Sequence, residues 1–174
     1  MSSPRVVVLD YGSGNVHSVA KALEVAGASV ELTRDRDSVL NADGLIVPGV
    51  GAFTAVMNQL NEVKGGELID KRLVSGKPVM GICVGLQVMF EHGVEHGIET
   101  EGLGQWRGTV ELLDAPLVPH IGWNTVTPPA GSRLFEGIAD ERFYFVHSYG
   151  VQNWQYDGLG PIPSPVPTWA EYGC

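Results

Sequence analysis

Along the chain, uninterrupted apolar runs alternate with stretches in which apolar residues recur every three or four positions. Residues 5–10 (Arg-Val-Val-Val-Leu-Asp) form a run closed by an acid, which predicts a strand buried on both faces of a parallel sheet. After a glycine turn, Val16, Val19, Ala20, Leu23 and Ala26 repeat at helical spacing, and Gly27 is placed to end that helix. Residues 30–32 and 44–47 read as the next two strands, the second halted by Pro48-Gly49. Helical pattern covers residues 56–74 with a break at Gly65-Gly66, and residues 78–82 read as another buried strand. Alternating strands and helices predict an α/β fold with an open, largely parallel sheet flanked by helices. Beyond Gly93 the texture changes. Residues 105–113, 123–127 and 142–151 are rich in aromatic and β-branched side chains, with turn residues between them, and predict added antiparallel strands in the second half. The alternating Pro161, Pro163, Pro165 and Pro167 suit an extended connection.

Composition narrows the function classes. With 174 residues, 44% apolar and 18% charged, the chain is expected to form a single globular domain over residues 1–174. Eleven Lys+Arg against 20 Asp+Glu give a net charge of −9, which works against nucleic acid or an anionic membrane as partner. No apolar stretch is long enough to span a bilayer and residues 1–5 lead into no signal-like run, so a cytoplasmic address is expected. Cys83 and Cys174 are too few for a disulfide framework and have no metal-ligand spacing; neither a metal nor a cofactor is expected.

Candidate chemistry concentrates at the ends of the predicted parallel strands. Gly81-Ile82-Cys83-Val84-Gly85 has the form of a nucleophile elbow between a buried strand and a helical segment with Leu86, Met89 and Phe90 on its apolar face. The flanking glycines let the tight turn form, the helix N-terminus favours a thiolate, and the Val84 amide is one oxyanion donor. The alternative is a buried structural cysteine between packing glycines. Pro48-Gly49-Val50-Gly51-Ala52-Phe53 exposes backbone amides at the end of the third strand and reads either as a second oxyanion donor or as an ordinary turn. Tyr11-Gly12-Ser13-Gly14-Asn15 lacks the third glycine of a dinucleotide loop and any Walker lysine, so it reads as a helix-capping turn. His92 and His96 lie four apart, but Gly93 and Gly97 interrupt a helix there, and a solvated loop is expected in place of a metal pair. His120 and His147 have no close carboxylate in sequence, so no base is legible from local pattern.

Gly81-Ile-Cys-Val-Gly-Leu-Gln87 resembles the active-site motif of the class I (triad) glutamine amidotransferases, whose fold is flavodoxin-like. Within that family, the segments 10–15, 48–53, 119–124 (Pro-His-Ile-Gly-Trp-Asn) and 143–149 (Phe-Tyr-Phe-Val-His-Ser-Tyr) resemble the subunits that supply ammonia to a cyclase subunit forming imidazole glycerol phosphate in histidine biosynthesis. The resemblance implies that Cys83 attacks glutamine, that Gly49, Val50, Gly51 and Val84 make the oxyanion hole, and that Gln87, Ser148 and Tyr149 hold the substrate. It also implies that Asn15, His120, Trp123 and Asn124 face the cyclase subunit in a heterodimer.

Family members end in a segment carrying a catalytic His-Pro-Glu, whereas no histidine follows His147 in this chain. The base and its carboxylate are therefore expected to be missing in a C-terminal truncation, and the isolated chain is expected to hydrolyse glutamine negligibly, because triad members act as a unit. Other readings are a different class I amidotransferase subunit, a non-catalytic cyclase-binding module, or a cysteine redox sensor on a related fold.

Overall fold

The computed structural model describes residues 3–154 and 165–173; Pro161, Pro163 and Cys174 lie outside them. The chain gathers into two compact units that divide between Thr109 and Val110.

In the first unit, strands β1 (Arg5–Leu9), β2 (Ser29–Thr33), β3 (Gly44–Gly49) and β4 (Val79–Cys83) form a parallel sheet in the order β2-β1-β3-β4. The two central strands are the most apolar. Val7, Val8 and Leu9 of β1, with Leu45 and Val47 of β3, are fully or almost fully buried, as strands covered on both faces must be. The chain leaves β1 through helix α1 (Val16–Val25) to place β2 on one side, then returns through α2 (Arg36–Asn41) to place β3 on the other. Strand order therefore reverses between β1 and β3, and the crevice outside their carboxyl ends is where open α/β sheets bind ligands.

Helix α3 (Phe53–Glu62) buries Phe53, Val56, Met57 and Leu60, an i, i+3, i+4, i+7 stripe. Helix α4 (Gly65–Val74) follows and buries Leu68, Ile69 and Arg72. The break between them falls earlier than the pattern suggests. Lys64 takes the left-handed conformation (φ +53°), and Gly65 opens α4 because a Cβ there would lie 2.6 Å from the Leu60 side chain. Helix α2 was not foreseen, since its six residues bury only Val39 and their start is set by Asp35, which accepts a hydrogen bond from Ser38 N–H at 2.8 Å.

The elbow helix α5 (Val84–Gln87) is a single turn, so Met89 and Phe90 lie beyond it. Phe90 begins β5 (Phe90–Glu95), which pairs antiparallel with β6 (Ile98–Glu101). The expectation of a solvated loop at His92–Glu99 is corrected here. His96 (φ +52°) and Gly97 (φ +78°) make a two-residue turn with both residues left-handed, the type I′ geometry that matches strand twist, and His92 Nδ1 reaches Glu99 at 3.4 Å across the hairpin. Strand β7 (Trp106–Leu112) runs on across the boundary into the second unit.

In the second unit, β8 (His120–Asn124) and β9 (Phe143–His147) form an antiparallel ribbon in which His120 faces His147 and Trp123 faces Tyr144. The short β10 (Tyr149–Gly150) pairs antiparallel with Leu112 and Glu111 at the end of β7. Period-two alternation puts Ile121, Trp123, Tyr144 and Val146 on one ribbon face, and all four are exposed. The antiparallel strands expected in the second half are thus present, the one read at residues 123–127 lying at His120–Asn124 instead.

Arg72 is the largest fully buried side chain. Its guanidinium donates to the carbonyls of Val39 (2.6 Å) and Ala42 (3.0 Å) at the end of α2 and to Pro78 (3.0 Å) before β4. Arg72→Ala would strand these acceptors and is expected to destabilise the chain by about 3 kcal/mol, measured by urea titration; an unchanged midpoint would show that the guanidinium ties nothing together.

Candidate active site

Cys83 ends β4 and caps α5 with φ +55° and ψ −121°. That is the first central position of a type II′ turn, ordinarily taken by glycine. Holding a side chain there costs on the order of 1–3 kcal/mol, and strain of this kind collects at functional positions. The thiol is exposed, which excludes the buried structural cysteine. Three glycines make the turn possible. A Cβ on Gly85 would overlap the Val47 carbonyl oxygen, one on Gly49 would overlap the Gly85 amide nitrogen, and one on Gly81 would stand 2.5 Å from the Gly85 carbonyl oxygen. Strand β3 and the elbow thus meet backbone to backbone, and pairing of Gly49 with Cys83 puts the 49–51 loop beside Cys83.

This loop is held by the loop that follows β1. Tyr11 Oη donates to the Pro48 carbonyl. Ser13 Oγ donates to the Val50 carbonyl at 3.2 Å and lies 3.3 Å from the Val50 amide, from which it accepts. Gly14 presses on Pro48 so closely that a Cβ would lie 2.7 Å from its ring. Both Tyr11 and Ser13 are buried, and burial pushes the Tyr11 phenol up to about 12. Asn15 does cap α1, its side-chain oxygen accepting from Ser18 N–H at 3.4 Å, but capping is only part of what residues 10–15 do. An oxyanion approaching Val50 would compete with Ser13 for the same N–H.

The other end of the 49–52 loop is fixed by a residue that sequence reasoning missed. Ala52 cannot cap α3, and the buried Glu95 on β5 accepts from the Phe53 amide at 3.1 Å instead. Gly93 on the same strand lies against the Phe53 ring, where a Cβ would come within 2.5 Å. Nothing local in the sequence announces this link, because its partners lie 42 residues apart. Val84 is buried in the first turn after the cysteine and Gln87 is half-buried at the end of α5.

Ser148, Tyr149, His120, Trp123 and Asn124 belong to the second unit. Ser148 sits between β9 and β10, its carbonyl accepting from Leu113 N–H at 2.9 Å. Trp123 is 61% exposed and meets Tyr144 edge to face, 5.4 Å between ring centroids. His120 is buried, stacked between Phe145 (4.6 Å) and Tyr172 (3.9 Å); it is hydrogen-bonded to His147, and Asn124 adjoins it. Among the described residues no group of three His, Cys, Asp or Glu could hold a metal ion, and no helix is long and apolar enough to cross a membrane.

The sequence profile described as glutamine amidotransferase class-I matches residues 7–162, in both units. The imidazole glycerol phosphate synthase subunit HisH of Leifsonia xyli subsp. xyli is 62% identical over 173 residues, which is 99% of this chain and 82% of the relative. The corresponding subunits of Renibacterium salmoninarum (97% of this chain, 78% of the relative) and Mycobacterium bovis (99% and 82%) are 60% and 51% identical. A crystal structure of a glutamine amidotransferase superposes with a TM-score of 0.65 over 86% of this chain and 75% of its own length, at 20% identity, a likeness of fold alone. A strained, exposed cysteine at the end of a parallel strand, set in this architecture, is the mark of a class I glutamine amidotransferase, and the chain belongs to that family. Within the family it groups with the HisH subunits, at 51% to 62% identity with those relatives.

Three outcomes test the site's construction. Cys83→Gly is expected to stabilise the fold by about 1 kcal/mol in urea titration while removing the thiol, because glycine relaxes the backbone; Cys83→Ser should give no such gain. Gly85→Ala is expected to cost about 3 kcal/mol or prevent folding, since the clash is with backbone. Because the Tyr11 phenol is raised to about 12, the unfolded chain ionises first as pH rises past its ordinary value of about 10, so stability should fall across that interval. Tyr11→Phe should flatten that alkaline limb.

Proposed function

We propose that this chain is the glutaminase subunit of an imidazole glycerol phosphate synthase, providing ammonia for histidine biosynthesis. The Cys83 thiolate attacks the side-chain carboxamide carbon of glutamine. The tetrahedral oxyanion collapses to a glutamyl thioester as the leaving nitrogen takes a proton from water and departs as ammonia, and water then adds to the thioester, freeing glutamate and the thiol and returning a proton. Gly49, Gly51 and Val84, with Val50 once its N–H leaves Ser13 Oγ, supply backbone donors to the oxyanion, and Gln87, Ser148 and Tyr149 hold glutamine. No metal or cofactor takes part. The observation that carries this reading is the strained Cys83 paired with Gly49 at the carboxyl end of the sheet, supported by close relatives that bear the name of this subunit.

The ammonia is consumed by a cyclase subunit in a heterodimer, in the cytoplasm, with Asn15, His120, Trp123 and Asn124 in the partner-facing surface. The exposed apolar ribbon face around Trp123 supports this, because such a patch on a charged protein marks an interaction surface. His120, being buried, would back that surface from within.

The reading is tested by incubating the chain, bound to the cyclase subunit of the Leifsonia xyli relative, with a glutamine-mimicking chloroketone. Alkylation at Cys83 that glutamine slows is expected. Alkylation indifferent to glutamine, with complex formation retained, would favour a non-catalytic cyclase-binding module; failure to form the complex would point to another synthase partner.

A further inference from the structure

We propose that His120 and His147 form a tautomer-locked pair that positions the backbone at Ser148-Tyr149, linking it to Asn124 at the end of the ribbon. This rests on the reading of Ser148 and Tyr149 as glutamine-holding residues. His147 Nδ1 lies 3.1 Å from the Tyr149 carbonyl oxygen. A carbonyl only accepts, so Nδ1 carries the proton and Nε2 of the neutral ring is bare. His120 Nδ1 lies 3.1 Å from that bare nitrogen and must therefore donate, leaving its own Nε2 as an acceptor. Asn124 Nδ2 stands 3.4 Å from this Nε2 and donates also to the Glu171 carbonyl at 2.7 Å. Hydrogen bonds thus run in one direction, from Asn124 through His120 and His147 to the Tyr149 carbonyl, and each ring has one permitted tautomer.

The surroundings enforce that order. His120 is held between Phe145 and Tyr172, and Tyr172 Oη donates to the Pro119 carbonyl at 3.3 Å, so the His120 ring is pinned on both faces. The groups facing the pair are Asn124 on β8, Phe145 on β9, Tyr149 on β10, and Tyr172 with the Glu171 carbonyl. Among the described residues, none of the ion pairs involves either ring. A proton added to His147 Nε2 would set two N–H groups against each other across 3.1 Å. Burial first, and His147 second, hold His120 below the ordinary histidine value. Its neutral form is the folded form. Its contribution to stability is therefore present above the unfolded value of about 6.5 and is lost as pH falls through the lower folded value. The pair ties Asn124 to the glutamine-holding Tyr149 only while both rings are neutral.

Nitrogen-15 spectra of the histidine side chains in the full chain, together with calorimetric glutamine affinity of its Cys83→Ser form bound to a cyclase subunit, test this. Near neutral pH both rings should show protonated Nδ1 and bare Nε2, and the His120 pattern should collapse on acidification. His147→Phe should weaken glutamine binding about five- to tenfold, the loss expected for one or two hydrogen bonds. His147→Asn, whose amide nitrogen occupies the Nδ1 position, should restore most of the affinity. An Nε2-protonated His147, or unchanged affinity in His147→Phe where Tyr149→Ala weakens binding, would overturn the positioning role while sparing the reading beneath it. Unchanged affinity in Tyr149→Ala would overturn that reading and the proposal with it. Should His147→Phe fail to fold, the tautomer spectra and the Asn variant decide.

Discussion

Backbone-to-backbone contact between β3 and the turn after β4 is the constraint on which the active-site half of the chain depends. Gly49, Gly81 and Gly85 leave no room for a Cβ between them, and because they leave none, the register that sets Gly49 beside Cys83 is the register in which the sheet can close. Close packing here does what a hydrogen-bond network does elsewhere: it fixes a reactive atom by excluding every other arrangement. The strain at Cys83 persists because residues on both sides are over-determined, β4 by pairing with β3 and α5 by its seat against the Val47-Pro48 backbone.

How much of this was legible in the sequence depended on how local its cause was. The central strands were readable because both of their faces are buried, which writes an unbroken apolar run. The elbow was readable because its glycines must flank the cysteine within five residues. Helix α2 was not, since one buried valine makes no periodicity. The β5–β6 hairpin was missed because its His96-Gly97 turn looks, in sequence, like two glycine-broken histidine repeats. The contacts that hold the 48–53 loop lie beyond any local window. Tyr11 and Ser13 reach it from 37 residues away and Glu95 reaches the Phe53 amide from 42, so only the folded topology brings these side chains to bear.

The two units divide the candidate residues. The first carries the strained, exposed Cys83 and the loop beside it; the second carries an exposed apolar ribbon face and, on its opposite side, a line of imidazoles ending on Tyr149. Period-two alternation makes that division of labour automatic in the ribbon, since Ile121 and Trp123 must point away from His120 and Asn124. One strand thus supplies both an exposed apolar face and an internal polar network, with no helix or extra loop needed to separate them.

The bracing of the 48–51 loop by Tyr11, Ser13 and Gly14 also bears on ligand recognition. A glycine-rich loop left to itself samples many backbone states, and ordering it at the moment of encounter would oppose binding. Here that ordering is completed during folding, because the hydroxyl and phenol that restrain the loop are themselves part of the core. A ligand entering here would meet a loop whose backbone is already restrained. Gly49 provides close approach of the backbone, and Gly51 takes the left-handed conformation (φ +92°).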